Sequence, residues 1–364
     1  MPIDMRTRKL AQLAVKRCVL TKPGDVVVIS GSEESITFMV ELYKAVILAG
    51  AHPVVRFGLP GTSDFFYKYA NKEQLEKFPD IFMDTLKKAN KYIGINTTDN
   101  TRELTSVNPE KITTRAKITR PISEHICDSP KNVMHRCTIG FPCQALAQEA
   151  EMSLSEYEEF VYGACLQDWD KIGKQMNKIL KIFQKGKNVH LIGRNVDLKF
   201  KINAKKAMTD LDGDNMPMGE VFMAPVRESL NGWIKFEYPA IRNGKEVTDV
   251  YLKFENGKVV EFDASKNKDF LDKMLHTDEN SSYVGEFGIG CNPKVRRFTK
   301  DLLFDEKMGG TIHLALGSAY KENGGGNDSA IHWDIVKDMS KAKIVLDGKV
   351  VQENGKWLIK GVKL

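Results

Sequence analysis

Six residues in the second half of the chain have side chains that bind metal ions or polarise a reacting group, and they sit in short apolar settings. They are Glu220 in NMPMGEVFMAP, Glu286 in YVGEFGIG, His313 in TIHLALG, Tyr320 in GSAY, and His332 with Asp334 in SAIHWDIV. Side chains two apart on a strand share a face, so His332 and Asp334 can reach toward one ion or a close pair. A glycine precedes each glutamate, which suits close approach of backbone and metal but equally a turn or bulge. Imidazole and carboxylate together suit Zn, Co or Mn, and no thiolate set accompanies them. Three carboxylates and two imidazoles exceed the ligand set of one catalytic zinc and point to two ions sharing a carboxylate. Taken singly, each residue has a plainer reading. His332 is first a structural or surface histidine, Glu220 an edge-strand charge or helix cap, and Asp334 a partner for Lys337 or His332. Tyr320 alone reads as a core aromatic with its hydroxyl satisfied at the rim.

The elements that must position these groups fall into two textures. Helical spacing over 5–19, the buried-strand run VVVISG (26–31), the helical stripe of 32–48 and the strand HPVVRFG (52–58) form a βαβ pattern. DIFMDTLKKAN with KYIGIN (91–96) repeats the order, a helix is expected over 109–118, and an apolar stretch follows around Val133–Phe141. Residues 153–184 read as one long helix capped at Ser153 or Ser155. After about residue 185 short alternating segments take over, with Asn-Gly in FENGKVVEF and Asp-Gly in LDGKVV as hairpin signals. The expected architecture is an α/β N-terminal domain with a mostly parallel sheet (1–185). A β-rich α+β domain (186–364) carrying the metal site follows it.

Other chemistries find little support. The turn after VVVIS is GSEES, which has neither a dinucleotide glycine pattern nor a P-loop lysine and puts two glutamates where a phosphate would bind. G-x-S-x-G and H-E-x-x-H are both absent, and Cys143 has no identifiable histidine partner. The remaining histidines read as structural or exposed, with His52, His125 and His135 as the least unattractive substitute cluster. A composition of 42% hydrophobic and 28% charged residues is that of a globular chain, not a disordered one. The net charge of +6 carries no basic track, so no nucleic-acid partner is expected. No apolar run is long enough for a membrane span and the amino terminus lacks a signal core. Six cysteines without C-x-x-C spacing read as reduced thiols, and a cytoplasmic location is expected.

Together these residues resemble the M29 family of metal-dependent aminopeptidases, also called the thermophilic aminopeptidase family. The resemblance runs through PGDVVVISG, LAGAHPVVR and CTIGFPCQALAQEAEMSLSEYEEFVYGAC. It continues through DLDGDNMPMGEVFMAPV, GEFGIGCNP, GTIHLALGSAY and GGNDSAIHWDIV. It implies that Glu220, Glu286, His313, Tyr320, His332 and Asp334 form the metal site, with Glu220, Glu286 and Tyr320 also taking part in catalysis. It further implies two divalent ions (Zn, Co or Mn), peptide substrates with a free amino terminus, and a homodimer. The expected reaction is hydrolysis of the first peptide bond. Tyr320 would bind a metal or donate to the oxyanion, and Glu220 or Glu286 would carry the proton. The bridging carboxylate stays open, with Glu286 preferred. Alternatives are a noncatalytic metal- or peptide-binding protein and another metal-dependent amidohydrolase. Arg227, just beyond GEVF, and the glycine-heavy loop KENGGGNDS (321–329) depart from the expected pattern and bear on substrate preference.

Overall fold

A computed structural model describes residues 4–242, 244–320 and 322–364. The chain forms two compact units, Met1–Leu166 with Asp212–Pro217, and Gln167–Leu211 with Met218–Leu364.

In the first unit the apolar run after the LTKPGD turn becomes β1 (Val26–Ser32), whose Val27, Val28 and Ile29 are fully buried. It lies between β2 (His52–Gly58) and β3 (Lys91–Asn96), and β4 (His135–Gly140) and the short strand Asn215–Met216 extend the sheet. Every pairing in this sheet is parallel, and a strand buried on both faces needs the continuous apolar sequence that β1 has. Helices α1 (Met5–Leu13) and α2 (Ile36–Leu48) flank β1 in sequence. At the GSEES turn the Ser35 hydroxyl accepts from Ser32 N–H at 3.0 Å and donates to Ser32 O at 2.9 Å, so the turn closes on itself. Helix α3 (Pro109–Cys127) runs past the expected end at 118, because Pro121 lies on its exposed side where water can serve the carbonyl left unpaired.

The expected long helix over 153–184 is two helices. Ser153 caps α4 (Leu154–Cys165) in a capping box with Glu156, as its spacing predicts. Asp168 then starts α5 (Trp169–Phe183) by accepting from Lys171 N–H at 3.0 Å. A good cap in mid-pattern redirects the chain without interrupting the apolar period.

The second unit is built on two large antiparallel sheets, with a two-stranded ribbon of Ala240–Arg242 and Lys245–Val247 beside them. Eight strands between Asn188 and Trp357 form the larger one. Its hairpin turns Asn256-Gly257 (φ 48° and 84°) and Asp347-Gly348 (φ 47° and 79°) have the two left-handed residues that a tight type I′ turn requires. The smaller sheet contains β5 (Glu220–Met223), β6 (Val284–Gly290), β7 (Thr311–Gly317) and β8 (His332–Asp338), in the order β8-β7-β6-β5, with Met208–Thr209 at the far edge. Strand alternation divides its faces. Val221, Phe287, Ile289, Ile312, Leu314, Leu316, Trp333 and Ile335 are all buried on one side. There the Phe183 ring of α5 stands 6.4 Å from Phe287. The other face carries the polar groups.

Candidate metal centre

Register brings the polar residues together. Glu220 pairs with Gly290 of β6, His313 with Gly288, and Asp334 and Glu286 both with Ala315 of β7. His332 pairs with Gly317. Directly opposed residues in an antiparallel ladder share a face, so five of the six sequence-predicted residues line one face of four adjacent strands. Gly288, Gly290, Ala315 and Gly317 take ladder positions among them and leave room above the backbone, while Val336 opposite His313 and Phe222 opposite Gly288 are the larger neighbours. A side chain at Gly288 would collide with the His313 imidazole.

The glycines before the two acids serve the backbone. Gly219 has φ +132°, and a Cβ there would lie 2.7 Å from Asn292 Cβ. Gly285 sits where the β6–β7 register shifts by one residue, and a Cβ on it would collide with the Ser318 carbonyl. That bulge, between Val284 and Glu286, turns Glu286 onto the face of His313.

His313 is fully buried, with Nε2 3.3 Å from Glu286 Oε1, 3.4 Å from Glu220 Oε2 and 3.9 Å from Asp334 Oδ1. His332 Nδ1 donates to Ser318 O at 2.8 Å, which leaves Nε2, 3.3 Å from Asp334 Oδ2, as the ring atom with a lone pair for a ligand. Ligands about 2.0–2.1 Å from a tetrahedral ion stand about 3.3 Å apart, the spacing found here. Three overlapping groups have ligand atoms within 4.8 Å of one another: Glu220, Glu286 and His313; Glu286, His332 and Asp334; Glu306, His313 and Asp334. Glu220 Oε2, Glu286 Oε2, His313 Nδ1 and Asp334 Oδ1 are buried without a hydrogen-bond partner. Polar atoms so placed are costly unless something completes them, and three of the four belong to carboxylates facing a shared centre. These residues fit divalent metal.

Tyr320 stands at the open side. Its side chain is 48% exposed and its ring centroid is 5.1 Å from that of His332, so it neighbours the cluster without being buried in it. The substitute set does not form: no metal-competent group of the described residues includes His52, His125 or His135. His190 pairs with Asp197 at 2.7 Å and His276 with Asp272 at 2.8 Å.

Sequence reasoning missed three members of the site. Lys307, fully buried, places Nζ 2.5 Å from Glu220 Oε1, 2.7 Å from Glu306 Oε1 and 3.4 Å from Asp210 Oδ2. Asp210 in turn accepts from the backbone N–H groups of Gly219 and Glu220, both at 2.9 Å, and so holds the start of β5. The signal was the charged triplet Asp305-Glu306-Lys307 between Phe304 and Met308, since charges flanked by apolar residues must be paired if buried. Burial pushes the Glu220 carboxyl well above its usual range, with Lys307 opposing and Glu306 and Asp210 reinforcing the rise. Burial works against the imidazolium of both histidines, but the carboxylates outweigh it. Glu286, Glu220 and Asp334 bring His313 up to about 9, and Asp334 with Glu286 brings His332 up to about 10. Burial likewise opposes the Asp334 carboxylate, yet His332, His313 and Lys307 hold it well below the ordinary range. The site has a strong demand for positive charge, met in its metal-free form by protons.

Fold and site thus define a buried carboxylate–imidazole cluster, able to hold a metal ion, on one face of an antiparallel sheet. The chain belongs to the thermophilic metalloprotease family (M29), which it matches over residues 3–357. It is 33% identical over 166 residues to aminopeptidase T of Thermus aquaticus and 32% identical over 166 residues to aminopeptidase AmpS of Bacillus subtilis. These alignments span 40% of the length of each of those two relatives, and 40% and 39% of this chain. The solved structure of wild-type AmpT from Thermus thermophilus superposes with a TM-score of 0.86 at 23% identity, covering 98% of this chain and 100% of that one. The 2,5-dihydroxypyridine dioxygenase of Pseudomonas putida KT2440 has the same fold at a TM-score of 0.61 and 12% identity, with 99% of both chains covered. The fold by itself therefore does not choose the reaction.

Proposed function

We propose that the protein is a dinuclear metal-dependent aminopeptidase that removes the first residue from peptides with a free amino terminus. The observation that carries this reading is the pair of ligand groups that share Glu286, in a chain of the M29 metalloprotease family. Glu220 and His313 would hold one ion, His332 and Asp334 the other, with Glu286 between them. Glu220, Glu286, Glu306 and Asp334 gather their carboxyl groups around His313 and Lys307, a donor set that suits cations.

Bound divalent ions (Zn, Co or Mn) supply Lewis-acid polarisation of a carbonyl and water acid enough to lose a proton near neutral pH. The chain supplies the rest. A carboxylate of the set, Glu220 or Glu286, would accept the proton and return it to the leaving amine. The Tyr320 phenol donates to the developing oxyanion from the open side, and its ring beside His332 keeps it near the reacting carbonyl. Lys307 and Asp210 fix Glu220 without touching substrate. Every residue in these roles lies beyond residue 185, which supports residues 186–364 as the catalytic domain.

The enzyme is proposed to act as a cytoplasmic homodimer. No helix among the described residues is long and apolar enough to cross a membrane, and all six cysteines are free. On α2, Ile36, Val40, Tyr43 and Ile47 form a stripe that is 44–50% exposed. The 4-3-4 spacing reads the same in both directions, so a second copy laid antiparallel sets Ile36 on Ile47 and Val40 on Tyr43.

The test is a peptide panel with metal-free protein, re-added Zn, Co or Mn, and amino-terminally blocked controls. Metal-restored cleavage confined to unblocked peptides is expected. Equal cleavage of blocked peptides would make it a different amidohydrolase, and bound metal without cleavage a binding protein.

A further inference from the structure

Arg227 lies four residues beyond β5, where a basic side chain near the site suggests contact with substrate. Its surroundings give it another task. Nε donates to Asn327 Oδ1 at 3.1 Å, an Nη donates to Asn280 Oδ1 at 2.6 Å, and the guanidinium carbon lies 4.0 Å above the Tyr283 ring. Those partners belong to two other segments of the centre. Asn280 and Tyr283 form the turn entering β6, which carries Glu286, and Asn327 lies in the loop between Tyr320 and His332.

The contacts continue inward. Asn327 is 5% exposed; its amide donates to Gly317 O at 2.5 Å and to Asn280 O at 2.9 Å, and its carbonyl accepts from Ala319 N–H at 2.8 Å. Asn280 Nδ2 donates to Asp328 O at 2.6 Å. Asp278 accepts from Ala330 N–H at 2.7 Å and from the Ser329 hydroxyl at 2.9 Å. One guanidinium therefore joins the exit of the Glu220 strand, the entry of the Glu286 strand and the residue that pins Ala319, next to Tyr320.

We propose that Arg227 is a positioning residue that holds the Tyr320 loop against the metal centre and so governs turnover, while contributing nothing direct to peptide binding. The inference rests on the aminopeptidase reading for its kinetic consequence. Its geometry calls for arginine: a flat fork reaches two amide oxygens while its face covers a ring, and a lysine ammonium makes only one such contact well. Glu220, Glu286, His313 and Asp334 are held by the strand ladder and by Lys307 with Asp210, and only His332, through its bond to Ser318 O, touches the pinned segment, so metal binding should survive the loss of Arg227.

The experiment compares Arg227→Ala and Arg227→Lys with the wild type in kcat, KM, bound metal and exchange of the Ala319 amide. Misplacement by about 1 Å can cost about 100-fold in rate, so a kcat loss of about 10- to 100-fold is expected in both variants. KM should stay within about threefold. Metal content should be unchanged, Ala319 exchange faster, and added guanidinium ion should restore part of the kcat of Arg227→Ala. An unchanged kcat, a rise in KM alone, metal lost together with activity, or full function in Arg227→Lys overturns the proposal. If the wild type cleaves no peptide, the functional reading falls separately. Ala319 exchange then decides: faster exchange in Arg227→Ala upholds the strut, and unchanged exchange removes it.

Discussion

Replacing Gly288 with alanine tests whether His313 reaches the metal only because β6 carries no side chain opposite it. An added Cβ would lie 2.8 Å from His313 Cδ2 and nearer still to Nε2 and Cε1. Ordinary contact is about 3.5 Å, so the ring would have to retreat by more than about 1 Å. Metal–ligand distances tolerate about 0.2 Å, so a displacement of that size removes His313 from the ligand set. Disturbing groups that merely support a ligand costs about 10- to 100-fold in affinity, and losing the ligand should cost at least about 100-fold, or about 2.7 kcal/mol. Fold stability should fall by about 1–3 kcal/mol from overpacking, well short of unfolding a chain this size. The assay is metal affinity by chelator competition, with thermal unfolding of the metal-free protein alongside. Gly326→Ala, where a Cβ meets nothing within 4 Å, is the silent control. If Gly288→Ala binds metal within about threefold of wild type while His313→Ala does not, the steric argument is wrong.

Three further outcomes follow from the same contacts. Lys307→Met leaves Glu220, Glu306 and Asp210 without their buried cation and should destabilise the metal-free protein by about 3–5 kcal/mol in urea unfolding, partly recovered by excess divalent ion; unchanged stability would refute the pairing. The raised values at His313 and His332 mean the folded metal-free protein holds protons that the unfolded chain releases above about pH 6.5. Its melting temperature should therefore fall as pH rises through about 9 and 10, while metal affinity climbs; a metal-free melting temperature that rises over that span contradicts the sign. Val40→Glu puts a charge in the α2 stripe and should shift the proposed dimer to monomer by light scattering with bound metal unchanged; a monomeric wild type, or a dimer that persists in the variant, removes that interface.

Much of this was legible in local pattern. The period-2 alternation of TIHLALG and IHWDIV sets His313, His332 and Asp334 on one face of their strands, because side-chain direction follows from backbone pleat alone. The run VVVIS announces a central strand, and Asn-Gly and Asp-Gly announce hairpins, since each reflects a backbone conformation or burial state that a few residues determine. The split of 153–184 at Asp168 and the passage of α3 through Pro121 were harder to read, because a cap or a break competes with periodicity and nearby structure settles the contest.

Other features depend on contacts between distant parts of the chain. The register that opposes Gly288 to His313 and Gly290 to Glu220, and the bulge at Gly285 that turns Glu286 inward, arise from ladder pairing between strands far apart in sequence. Lys307 reads locally as an ordinary surface lysine, and only the tertiary structure surrounds it with Glu220, Glu306 and Asp210. Arg227 reads as a free charge near a site, and only the structure commits it to Asn280, Asn327 and Tyr283. The sequence by itself determined which groups could bind metal and which way each strand faces. Tertiary structure decided their register, their counter-charges and the support behind them, because those depend on residues that meet only when the sheet is assembled.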